Sequence, residues 1–325
     1  MQRRTFLGLL ASVPTLAYAI PTQNDFLIDT LLADEAELFA RSLLYGRVAR
    51  ENYDALEQAV LGKVGKLDGA DFSAGVRILN VINETLEEQG YTWIRPRTLL
   101  TRCLVNKTLD CDTGTFLYMS LGQRVNMNTH YVLVFGNKDP KEGHAFARIH
   151  FAKGTTLNWE TTNGKPYSNQ EIIDDFGTPP ESIKRGAFLR SLSLEEALGA
   201  HDFEVAKEYK KRGIENGAQF YLERARVRNP KDVLIPLYQA YMVLTVMKGK
   251  RKHEREVHAK QVIPFLHLAE QYAPDFVTIP QCLARLYHSI GDKEKERVYR
   301  HRAIYYDMNL TEGEKTKKIK ELYRR

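Results

Sequence analysis

The spacing of apolar positions changes twice along the chain. Over residues 31–67 they recur at helical spacing, in LLADEAELFARSLLYGRVA and then NYDALEQAVLGKVGKL, which predicts two helices. SAGVRILNVINETLEEQ carries Val76, Leu79, Ile82 and Leu86 on one stripe and predicts a third helix, stopped at Gly90. A short apolar run at 99–105 predicts another. Asp110 then has the chemistry of an N-cap, with Cys111 to Gly114 as a first turn and Phe116, Leu117, Met119 and Leu121 as a buried body. The period next falls to two, and strands are predicted at 130–135, 144–151 and 155–161. Residues 171–192, with Pro179 and Pro180, read as turn-rich connecting chain. Beyond them the helical period returns.

The two later strands allow a test of register. If Ala152, Lys153 and Gly154 form a hairpin loop, Phe151 faces Thr155 and paired residue numbers sum to 306. Glu160 then opposes Phe146 and becomes a diagonal neighbour of His144, within side-chain reach. A loop shorter by one residue would send Glu160 to the other face. Asn158 shares the face but stands opposite Arg148, further from His144. A thiol at a helix start, an imidazole at a strand start and a carboxylate at a strand end have the order of a nucleophile, its base and an orienting acid. The helix dipole and unsatisfied amides favour thiolate at Cys111, and its backbone N–H is placed to receive an oxyanion.

Composition alters this picture little. The 325 residues, 43% apolar and 27% charged, suffice for one large or two ordinary cored domains. Net charge is +6, concentrated in runs near 247–255 and 314–320, which read as solvated surface. Such runs without interleaved aromatics argue against a nucleic-acid partner. No CxxC or HExxH spacing occurs, so Cys111, His130, His144 and His150 make a poor metal set, and neither metal nor cofactor is expected. The three cysteines leave at least one thiol unbridged; Cys103 and Cys282 sit in apolar surroundings, and a bridge between them stays open.

The N-terminus places Arg3 and Arg4 before a short apolar run ending Ala17, Tyr18, Ala19. This resembles a twin-arginine signal, residues 1–19, and implies a periplasmic protein without stable membrane insertion. Further on, Ala225 and Pro230, Ala269 and Pro274, and Ala303 and Met308 repeat one relation. The first step is 44 residues and the second 34, the difference being an insertion, KGKRKHEREV. Ala206, Tyr209, Gly213 and Ala218 precede Ala225 much as Leu283, Ala284, Tyr287 and Gly291 precede Ala303. The pattern resembles the tetratricopeptide repeat.

CDTGTFLY, GHAF and NWETTNG resemble the motifs of the transglutaminase-like branch of the papain-like superfamily. That resemblance implies an α+β domain at 20–195, a helical layer plus an antiparallel sheet, followed by an all-α repeat domain at 196–325. It makes Cys111 the nucleophile, His144 the base and Glu160 the acid, where the family more often has Asp. The expected activity is acyl transfer on a peptide or protein substrate through a thioester, as a peptidase or amidase rather than a cross-linking enzyme. The alternative is a non-catalytic module that holds a peptide or protein partner on its repeats.

Overall fold

The computed structural model describes residues 26–39, 43–94, 99–247 and 249–324. The signal-like segment at 1–19 lies outside them. The chain is mixed α+β, mostly helical, with a small antiparallel sheet.

Helix α1 (Phe26–Ala36) and a 3-10 turn (Glu37–Phe39) precede α2 (Leu43–Val64) and α3 (Phe72–Glu88). The break expected near residues 50–51 therefore lies earlier, and one helix runs through Gly46 and Arg50. α3 is capped by Asp71, which accepts from Ala74 N–H, and its chain turns off at Gly90 with φ near +80°. A two-strand parallel pair, β1 (Thr92–Trp93) and β2 (Thr108–Leu109), brackets α4 (Leu100–Asn106). α5 (Cys111–Gln123) follows, then β3 (Asn128–Phe135), β4 (Gly143–His150), β5 (Thr156–Glu160) and β6 (Lys165–Pro166), hydrogen-bonded in that order.

Register follows the hairpin argument: Ala147 pairs with Trp159 and Arg148 with Asn158. Lys153 and Gly154 take φ of +77° and +78°, and Gly154 is the left-handed residue that closes a three-residue loop. The alternation assigns each face. Tyr131, Leu133, Ala145, Ala147 and Trp159 belong to the core shared with α5, whereas Val132, Val134 and Phe146 form a separate cluster with Ile172 and Leu189.

The stretch expected to be connecting chain is partly helical. α6 (Asn169–Phe176) has a full capping box, Ser168 with Glu171, and ends at Gly177 in the left-handed region. α7 (Pro180–Lys184) follows, using Pro180 at its first position, where a missing N–H is harmless. Together they cover the second face of the sheet.

Among the described residues seven more helices follow: α8 (Leu194–Lys211), α9 (Glu215–Arg228), α10 (Leu234–Met247), α11 (Lys252–Tyr272), α12 (Thr278–Ile290), α13 (Lys293–Tyr306) and α14 (Glu312–Arg324). They pack pairwise, α8 on α9, α10 on α11, α12 on α13. Most of the expected insertion lengthens α11. One set of contacts recurs: Tyr209 stacks on Tyr221 at 5.2 Å around the turn at Gly213, and Tyr287 stacks on Tyr299 at 5.6 Å around Gly291. Ala206, Ala218 and Ala225, all fully buried, let the paired helices approach.

The helical region shares its core with the sheet region, since one apolar cluster continues from Leu27 through Ala145 to Tyr287. Polar ties reinforce it. Asp275 accepts from the N–H groups of Glu181 and Ser182, at 2.8 and 3.0 Å, and from the Ser182 hydroxyl, so a residue before α12 caps α7. Asn137 donates to Asp275 O and accepts from Val277 N–H, at 2.8 and 2.9 Å.

Candidate active site

Cys111 is the first residue of α5. Asp110 closes a capping box with Thr113, accepting from its N–H at 2.8 Å and donating its own N–H to the Thr113 hydroxyl. Thr115 Oγ1 donates to Cys111 O at 2.7 Å, which pins the first turn from within. On one side of the helix, Asp112 accepts from the Tyr131 hydroxyl and Phe116 packs on the Tyr131 ring at 5.0 Å. On another, Gly114 has no room for a side chain, because an added Cβ would lie 2.5 Å from the Trp93 ring and 3.3 Å from Thr161 Oγ1. At about 100° per residue, Cys111 falls between those two directions, towards β4. Continuing the observed register sets Ala145 beside Thr161. Three residues above Gly114, Cys111 then stands about 4.5 Å further along the helix, near the level of His144.

His144 and Glu160 leave the sheet on the other face, the one covered by α6. They are in contact: His144 Nε2 bonds Glu160 Oε2. A carboxylate only accepts, so Nε2 carries the proton and Nδ1 is the nitrogen left for a substrate or thiol proton. Glu160 is 6% exposed. Burial opposes its ionisation, but the bond and charge of His144 and two donors from Thr162 outweigh burial and hold the carboxyl below its ordinary value. Glu160 Oε1 accepts from Thr162 N–H at 2.9 Å and from its hydroxyl at 2.6 Å, so both oxygens are engaged.

The structure thus brings His144 and Glu160 together and delivers Cys111 to the same end of the sheet from the opposite face. Asn158 is not a partner of His144; it accepts from Arg148 at 2.6 Å and donates to Tyr167 O and Asn169 Oδ1.

The remaining candidates separate. His130 and His150 meet edge to face at 4.7 Å near the far end of β4, and bond Leu192 O and Ser191 Oγ. Four to six residues along the strand, about 13 to 20 Å, divide them from His144. Among the described residues no cluster of three or more metal-ligating side chains forms. Cys103 and Cys282 are thiols with no bridge between them. Burial raises both, Cys282 to about 11. Trp93, Thr162 and Phe176 were not singled out from sequence. Of these, Thr162 alone had a local signal, its place two residues after Glu160.

No family model, curated protein or solved structure matches this chain.

Proposed function

We propose that this protein is a cysteine-dependent acyl-transfer enzyme of transglutaminase-like architecture, with tetratricopeptide-like repeats, exported to the periplasm by a twin-arginine signal. The observation that carries the reading is the buried His144–Glu160 pair, formed in the register the hairpin dictates and held at the sheet end that also receives Cys111. In the reaction, the Cys111 proton passes to His144 Nδ1, and the thiolate attacks an amide carbonyl. The oxyanion is received by the N–H of Cys111, at the positive end of the α5 dipole. As the C–N bond breaks, His144 returns the proton to the leaving amine. Water or a second amine then attacks the thioester, losing its proton to His144, and Cys111 is released. Glu160 stabilises the imidazolium between these transfers. Resolution by water, a peptidase or amidase activity, needs no further site for an acceptor. An electrophilic probe tests the reading: labelling in a periplasmic extract should require Cys111 and should be competed by the natural substrate. Labelling unchanged in Cys111→Ser would overturn it.

One observation favours a second reading. α5 packs on the sheet face of Ala145 and Ala147, opposite the face of Phe146 and His144. A non-catalytic module that presents its helical repeats to a peptide or protein would have the same fold. In that case Cys111 should alkylate no faster than an ordinary cysteine.

A further inference from the structure

The imidazole of His144 is held by more than Glu160. The Phe176 ring lies parallel to it, centroids 5.6 Å apart and planes 9° apart, and Phe146 stands at 6.4 Å and 28°. A single hydrogen bond at Nε2 fixes one ring nitrogen but leaves the tilt of the plane open. A flat aromatic neighbour removes that tilt and keeps water from competing for Glu160.

The backbone behind Phe176 is fixed as well. Phe176 ends α6, and Gly177 terminates the helix at φ +62°, its N–H bonding Ile173 O. Lys138 N–H donates to Phe176 O and Asn137 N–H to Gly177 O, at 3.3 and 3.0 Å. Gly136 permits this approach, since a Cβ there would stand 1.7 Å from Phe176 O. The Asn137 side chain reaches Asp275 and Val277, so the α11–α12 junction braces the segment that carries the ring.

We propose that Phe176 is a positioning residue for His144, keeping Nε2–H on Glu160 and Nδ1 turned to the end of the sheet where Cys111 stands. The proposal rests on the triad reading above. The test uses the full chain with 15N-labelled histidine, in wild type, Phe176→Leu and Phe176→Tyr. Nitrogen-edited NMR follows the hydrogen-bonded Nε2 proton of His144, and iodoacetamide follows Cys111 across pH 5 to 9. Phe176→Leu keeps an apolar side chain but removes the ring plane. It should lose the slowly exchanging Nε2 proton and slow alkylation at pH 6 to 7 by about tenfold, with Tyr restoring both. A Leu variant that keeps the Nε2 proton and the pH profile would overturn the proposal. If Leu does not fold, Phe176→Met carries the same test. Should wild-type Cys111 titrate as a free thiol while the Nε2 proton still depends on Phe176, the positioning stands and the triad reading fails.

Discussion

Glu35 should make the protein less stable as pH rises through neutrality, opposite to the effect of a carboxylate whose pKa is lowered by an ion pair. It is 0% exposed, and its two oxygens accept from Leu100 N–H and Thr101 N–H at 2.8 and 2.7 Å. Burial raises its pKa from about 4.5 to about 7, aided by Asp34, although the Thr101 and Leu100 bonds oppose the rise. His201 supplies a place for the proton. Burial, with the charges of Arg224 and Arg228, keeps that imidazole neutral, with a pKa of about 3, and its bond to Leu31 O occupies the other ring nitrogen. Its Nε2 has no hydrogen-bond partner and lies 3.5 Å from Glu35 Oε1, so a protonated Glu35 can donate to it. The contact is not an ion pair while His201 is neutral.

Between pH 4.5 and 7 the folded protein holds a proton that the unfolded chain has released. This stabilising contribution is complete below about 4.5 and lost as pH rises through 7. The loss amounts to about 3 kcal/mol by pH 8. Glu35→Gln removes the titration, donates to His201 through its amide and gives up one acceptor, at about 1 kcal/mol. Urea unfolding at pH 5, 6, 7 and 8 should find Gln less stable than wild type by about 1 kcal/mol at pH 5 and more stable by about 1 to 2 kcal/mol at pH 8. A difference of one sign and size at all four values would refute the reasoning.

Asp275→Ala strands three donors of α7 in a buried junction and should cost about 3 to 5 kcal/mol, read as a fall in the denaturation midpoint; a loss below about 0.5 kcal/mol would show the tie to be idle. Ala225→Trp places an indole where α8 and α9 close to 0% exposure and should cost at least about 1 to 3 kcal/mol by thermal unfolding. Replacing Arg3 and Arg4 by lysine should hold the precursor in the cytosol, and normal processing through the same route would count against the export proposal.

The hairpin register was legible because strand periodicity and loop length leave few alternatives: Lys153 and Gly154 fix the turn, and Glu160 must then fall on the face of His144. The cap at Asp110 was legible for a similar local reason. α6 was missed although its signal was present, since Ser168 and Glu171 have capping-box spacing; Pro179 and Pro180 were read as part of a loop, whereas they follow α6 and open α7. The face of the sheet taken by α5 was not legible. Ala145 and Ala147 are small because a helix passes over them, but the sequence shows only that they are small. Longer-range pairings, Glu35 with the start of α4 and Asp275 with α7, join residues some 65 and 93 positions apart and leave no local trace.

The central claim is that Cys111, His144 and Glu160 act as one unit, and the rate of Cys111 alkylation across pH 5 to 9 in wild type, Glu160→Gln and Asn158→Ala tests it most directly. Wild type should react well below the roughly 8.5 of a free cysteine. Glu160→Gln, which removes the charge that stabilises the imidazolium, should slow the reaction near pH 6 by about two to four orders of magnitude. Asn158→Ala, whose bonds run to Arg148, Tyr167 and Asn169, should change it by less than about threefold. Three profiles that coincide with that of free cysteine would contradict the account and leave the binding module as the reading of this fold.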